Sequence, residues 1–298
     1  MRLHRELLAT VPAVVLVLVA VFAAGCEDDS FNTTEALFEL PSGAEQDLFA
    51  LPFPNDLRVT ADGRIDLARL GADQPVLIQR YLDIVAANEL GGFATNGATY
   101  FRFSAPIDAR SLPQDAEASR QPGASLFWVN LQKGSANYGQ RIPFTSKFVA
   151  RAGRYAGENL LAVLPVPGFV LEAETRYAVV VTEGLVDENN VSVQPGRDFK
   201  AILAAATPAD ARLHKAHKVY APLRAYISEE NLTGVVSAAV FTTGSPTGLV
   251  AKAREVVHRS AAPVAKDFGV AVESTVYHEL RGTYEAPNFQ KGDPPYMH

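Results

Sequence analysis

The sequence predicts a mainly β fold: an antiparallel sandwich with added helices, α+β overall, preceded by a signal peptide. Three observations carry this. From Thr99 to Thr182 the chain is a series of short segments rich in aromatic and β-branched residues, separated by Gly, Pro, Ser and Asp. After Thr207 two longer stretches repeat their apolar residues at helical spacing. The first 25 residues run basic, apolar, then small.

The apolar run from Val11 to Ala24 follows Arg2 and Arg5 and is fourteen residues long. That suits a secretory segment and falls short of the ~20 residues needed to span a bilayer. Ala23-Ala24-Gly25 precedes Cys26, the single cysteine of the 298-residue chain. This order resembles a bacterial lipoprotein signal, in which cleavage leaves an N-terminal cysteine whose thiol carries diacylglycerol. The resemblance implies lipidation of Cys26 and attachment to the membrane through that lipid, since two or three acyl chains anchor stably where one does not. An ordinary signal peptide and an uncleaved signal anchor are the alternatives. Removing residues 1–25 takes away Arg2, Arg5 and Glu6, net +1, so the formal charge of −6 becomes −7. An acidic chain without a basic run argues against nucleic acid as a partner. With one cysteine there is no internal disulfide, and the fold rests on its apolar core.

Residues 26–50 read as an acidic tether and residues 51–98 as an N-terminal extension. In the extension, Pro52 and Pro54 impose extended backbone, Ala61-Asp62-Gly63 makes a turn, and Asp73 caps a helix through Leu77, Tyr81, Ile84 and Val85. Residues 99–246 form the sandwich, with strands in "TYFRFS", "SLFWVNL", "PFTSKFV", "LLAVLP", "RYAVVVT" and "VVSAAVFTT". A helix over 208–227, with Thr207 as N-cap, is inserted before the last of these; its stripe is Leu213, Ala216, Tyr220, Leu223 and Ile227. Residues 247–298 begin with a linking helix to about Ala261, expected to bury Leu249, Ala253, Val256, Val257 and Ser260. They continue with one strand, "VAVESTVYHEL".

Three stretches carry a family resemblance: "YFRFSAPIDARSL" (100–112), "LEAETRYAVVVTEGLVDENNVSV" (171–193) and "AAVFTTGSPT" (238–247). They resemble the bacterial Ig-like domain of S-layer and secreted proteins, so the sandwich is expected to be Ig-like. At the turn from Asp187 to Asn190, where that family usually has Gly, Asn189 and Asn190 stand in; Asn adopts left-handed backbone angles best among the other residues. The flanks "LPFPNDLRVTADGRIDL" and "GTYEAPNFQKGDPPY" resemble secreted bacterial lipases and esterases, in which an Ig-like region precedes an α/β-hydrolase domain. That resemblance implies a C-terminal hydrolase domain in cis, entered at about Ala271, with its catalytic part beyond His298.

Within the chain, no serine has glycine two before and two after, as a hydrolase nucleophile elbow requires. The lookalike "TTGSPTG" places Ser245 before a helix, where capping is its expected role. His214 and His217 are three apart but point differently, without paired carboxylates nearby; His258 lies opposite an apolar stripe; His278 fits a half-buried strand face. "VDENNV" lacks the ligand spacing of a calcium loop and reads as a hairpin turn. Glycine-rich phosphate loops are missing. Phe127 and Trp128 point to opposite faces of one strand, so one belongs to the core; the other, with Tyr138, is a candidate for binding sugar or peptide. No catalytic, cofactor or metal residue is assigned, and Cys26 is the one site. The expectation is an extracytoplasmic, lipid-anchored protein, the Ig-like front of an ester hydrolase without its catalytic centre. The alternative is a non-enzymatic surface lipoprotein that binds a glycan or protein.

Overall fold

The computed structural model describes residues 33–40, 47–66, 75–87, 91–153, 157–290 and 292. The expected signal segment, Cys26 and Asp73 lie outside the described residues, as do the side chains of Ile84 and Val85. The chain is mixed α+β, a sandwich of two antiparallel sheets with helices added, as the strand rhythm predicts.

One sheet has the order β2-β6-β5, formed by Thr99–Arg102, Leu160–Pro165 and Phe144–Val149. The other has the order β4-β3-β7-β9, formed by Arg141–Ile142, Leu126–Asn130, Arg176–Thr182 and Val235–Thr242. Every pairing in both is antiparallel. A short parallel pair, β1 (Glu35–Ala36) with β8 (Gln194–Pro195), fastens the N-terminal segment.

The core between the sheets takes Phe101, Leu161, Val163 and Phe144 from the first sheet, and Leu126, Trp128, Tyr177, Val179, Val181 and Phe241 from the second. Trp128 meets Phe241 edge to face at 5.8 Å between ring centroids, and Tyr177 tilts on the same ring at 6.3 Å. The other face of the second sheet is buried too. Phe127, Val129, Ala178, Val180, Ala238 and Val240 pack under a layer of helices: α2 (Arg197–Leu203), α3 (Ala211–Val219) and α4 (Ala221–Glu229). The order is therefore sheet, sheet, helices. The central strands have no wet face, which is why "LFWV" and "YAVVV" are unbroken apolar runs. In β2, by contrast, Thr99 and Phe101 are buried while Tyr100 and Arg102 are half-exposed, the alternation of a sheet with one wet face.

Several expectations are corrected. Phe127 and Trp128 are both core residues, because the helical layer covers the face that a bare sandwich would leave open. The helix over 208–227 is two helices: Tyr220 leaves helical geometry, and Pro222 starts the second. Its N-cap is Asp210 and not Thr207; the Asp210 carboxylate accepts from the amides of Arg212 and Leu213 at 2.8 and 3.4 Å. These bonds hold its pKa below the usual range. The stripe itself keeps its place, with Ala216, Tyr220 and Leu223 buried and Leu213 and Ile227 half-buried. In the extension, α1 spans Val76–Ala87 and leaves Val76, Leu77 and Tyr81 exposed.

Either ring of the central strand is required by this layering. Phe127→Ala and Trp128→Ala should each lower the unfolding free energy by about 3–5 kcal/mol, read from urea melts. A loss below about 1 kcal/mol for Phe127 would put that ring on an open surface.

Candidate functional site

The residues weighed for chemistry do not converge. His217 is buried, its Nε2 lies 3.1 Å from the Ala204 carbonyl oxygen, and its Nδ1 is 3.2 Å from Arg224. His214, three residues earlier, is exposed. His258 is exposed as well, and among the described residues no group of three His, Cys, Asp or Glu is placed to hold a metal ion. Asp187 is the hub of a hairpin turn: its Oδ1 accepts from the amides of Asn189 and Val191, each at 2.9 Å, and Asn190 takes φ +62°. Tyr138 is half-buried against Tyr226, and its hydroxyl donates to Glu229 at 2.6 Å. Burial first, and then the Glu229 carboxylate, push its pKa up to about 12.

Ser245 does not cap the following helix. It is exposed, and the N-cap of α5 (Gly248–Arg259) is Thr247, which makes no side-chain capping bond. His278 is not on a half-buried strand face either. The stretch "VAVESTVYHEL" folds back on itself, with β10 (Lys266–Glu273) pairing antiparallel with β11 (His278–Thr283) and Glu273 opposite His278. The turn between them contains neither Gly, Pro nor Asn, and its alternating Ser and Val imitate a strand.

The structure does assemble a clamp on the chain where it leaves the sandwich. "FTTG" (241–244) ends β9, and the last three of these residues are each held. Asp56 accepts from the Thr242 amide at 2.8 Å and from its hydroxyl at 2.7 Å, with Arg176 Nε 3.6 Å from the same carboxylate. Thr243 Oγ1 donates to the Glu172 carbonyl at 2.6 Å and accepts from the Thr175 amide at 2.9 Å. Gly244 donates to the Phe93 carbonyl at 2.8 Å. A Cβ at Gly92 would come within 2.6 Å of the Gly244 backbone, so glycine is what lets the two strands of chain pass. The neighbouring Asn55 donates to the Tyr220 hydroxyl at 2.7 Å, which donates in turn to the Ala238 carbonyl at 2.9 Å. Thus "PND" (54–56) occupies the outer edge of β9. The prolines predict only extended backbone here, and the roles of Asn55 and Asp56 come from the structure. An Asn-Asp pair between prolines and a strand-like "LRV" was the available signal.

Beyond the clamp the packing changes. From Leu249 to Gln290 no residue is buried. The stripe expected to bury on α5 is open, with Leu249 80% exposed and Val256 and Val257 close to half exposed. In the hairpin, Val270 lies opposite Leu280 and Phe268 crosses over Gly282, which makes an apolar face; Phe268, Val270, Leu280 and Tyr284 are all exposed. A two-stranded hairpin in water is marginal at best. The open α5 and hairpin surface, launched from a rigid exit, is the candidate functional site.

No protein-family model matches this chain, and no curated protein matches it. Among solved structures it is similar to domains 1–6 of the surface layer protein SbsC, over 74% of this chain and 23% of that one, with 12% identity and a TM-score of 0.25. The S-layer protein rSbsC(31-844) matches over 43% of this chain and 18% of that one, with 14% identity and a TM-score of 0.22. The chain therefore spans less than a quarter of the length of either S-layer structure.

Desolvation is the largest influence on Asp56 and outweighs its hydrogen bonds and Arg176, so its pKa is raised. The folded state then holds a proton at a pH where the unfolded chain has released it. The contribution of Asp56 to stability is thus fully present below the ordinary carboxylate pKa and falls as pH rises through the raised one. Relative to Asp56→Asn, the wild type should gain stability on acidification from pH 7 towards the ordinary carboxylate range, measured by denaturant melts at both ends. A gap that closes or reverses on acidification would contradict this assignment.

Proposed function

We propose that this chain is the lipid-anchored, extracytoplasmic front of a larger protein: a support region whose clamped exit carries a following domain, without a catalytic centre of its own. The observation that carries the reading is the uncovered apolar surface of α5 and the β10–β11 hairpin. Apolar side chains at helical and strand spacing form where something covers them; leaving a Leu, Val or Phe in water forfeits roughly 1.5–3 kcal/mol each. A domain that continues the chain is the simplest cover, because it is already tethered there. The hydrolase identity of that domain rests on the resemblance of both flanks to secreted lipases and esterases. Anchoring rests on the sequence around Cys26.

The alternative, a surface lipoprotein that binds glycan or protein through aromatic side chains on its sandwich, has less in its favour. Phe127 and Trp128 are inside the core, and Tyr138 is engaged by Tyr226 and Glu229.

Three measurements test the proposal. The reading frame downstream of the His298 codon should stay open and encode Gly-x-Ser-x-Gly followed by Asp and His; a stop codon there would contradict the following domain. Cys26→Ser should move the protein from the membrane fraction into the soluble extracytoplasmic fraction, and unchanged membrane partition would contradict lipid anchoring. In either case purified residues 27–298 should not hydrolyse short-chain esters; turnover abolished by mutating one serine would place a catalytic centre within them.

A further inference from the structure

Between Arg197 and Arg224 lie six Lys or Arg (197, 200, 212, 215, 218, 224) and two carboxylates, Asp198 and Asp210, a local charge of +4 in a chain of −6. Arg224 turns inward, and the other five cations are exposed. On α2, Phe199 and Ile202 turn inward and Arg197 and Lys200 are exposed on the opposite side. On α3, Ala216 and His217 turn inward and His214, Lys215 and Lys218 are exposed. Both helices lay their inner faces on the same side of the central sheet, so their outer faces point the same way. Their relative position is locked: Phe199 and Tyr220 meet at 6.1 Å, and Arg224 donates to the carbonyls of Ile202 at 3.0 Å and His217 at 2.6 Å. Among the described residues Arg197, Lys200, Lys215 and Lys218 form no ion pair, while the two carboxylates are engaged, Asp210 by its cap and Asp198 by the Leu40 amide at 3.4 Å.

The N-terminal segment enters beside this surface. The Thr34 carbonyl accepts from the Gln194 amide at 2.8 Å, and β1 runs alongside β8, which leads directly into α2. Thr33 lies seven residues beyond Cys26, a reach of about 25 Å when extended. A bilayer that held the chain at Cys26 would therefore lie within about 25 Å of the point where β1 meets β8, the strand that leads into the basic face.

We propose that the outer face of α2 and α3 docks on the phosphate headgroups of an anionic membrane. Lys215 and Lys218 of α3, with Arg197 and Lys200 of α2, supply the contacts. This orients the sandwich on the bilayer. The proposal rests on the reading of an N-terminus held at the membrane, but not on how it is held. Clusters of unpaired Lys and Arg near a membrane are drawn to anionic lipid over roughly a Debye length, so the attraction is lost in salt.

The full chain, purified from membranes, is reconstituted in vesicles of phosphatidylcholine alone or with phosphatidylglycerol added. Accessible amines are then labelled with a membrane-impermeant reagent and located by mass spectrometry. Labelling of Lys200, Lys215 and Lys218 should fall by about threefold or more on the anionic vesicles, and return in about 0.5 M salt, where the Debye length is about 4 Å. Lys147 and Lys252, exposed elsewhere, are the reference and should not change. Equal labelling of the three lysines on both vesicles overturns the proposal. So does protection by soluble polyphosphate with no difference between vesicles, which would make the face a reader of free polyanion. Because the footprint is taken on vesicle-bound protein, it fails separately from the Cys26→Ser fractionation.

Discussion

Burial of the β4-β3-β7-β9 sheet on both faces is the constraint on which the rest of this structure depends. A sheet with one wet face can end where its strands end; a sheet covered on both sides needs a second sheet and a helical layer held in register over it. Here the second sheet supplies Phe101, Phe144, Leu161 and Val163, and the helices supply Phe199, Ile202, Ala216, Tyr220 and Leu223. The chain must therefore leave the sandwich after β7, build three short helices, and come back for β9. Tyr220 is where these demands meet: it ends α3, its ring packs on Phe38 and Phe199, and its hydroxyl bridges Asn55 to the Ala238 carbonyl on the sheet edge. Without an internal disulfide the fold is held by this apolar layering and by the polar clamp at the end of β9.

That exit explains a sequence feature that composition alone leaves arbitrary. The two threonines of "FTTG" are not interchangeable strand formers. Thr242 faces Asp56 and Arg176 at the sheet edge, Thr243 bridges Glu172 and Thr175, and Gly244 passes Gly92 where a side chain would not fit. The chain beyond Gly244 is different in kind: a helix and a hairpin with apolar side chains in water. The contrast between a tightly held exit and a bare continuation is the physical basis for reading the chain as a support with something to carry.

Much of the β architecture was legible because β-branched and aromatic clusters between turn residues mark strands whichever way they face. The faces were not legible. Alternation along "LFWVN" carries no information when both sides are dry, so Phe127 could not be placed until the helical layer was known. Helix α2 is too short, at seven residues, to show a period, and Arg197 and Lys200 went unread with it. Pro208 suggested an early helix start, but a proline only tolerates that position, whereas Asp210 bonds two amides. The spacing on α5 marks an apolar stripe but not its cover, since amphipathic spacing says that a face wants cover and not that cover is present. For the candidate site, nothing local marks "PND" as more than extended backbone, because the partner of Asp56 on β9 lies 186 residues away in sequence.

Peptide-resolved amide hydrogen exchange of the 298-residue chain decides whether the surface beyond Gly244 is bare. If the surface beyond Gly244 lacks its cover, the amides of Lys266–Glu273 and His278–Thr283 should exchange orders of magnitude faster than those of β7 and β9 in the same molecule. Protection of the hairpin equal to that of β7 would mean that the chain covers this surface itself, and would contradict the reading of it as a support for a following domain.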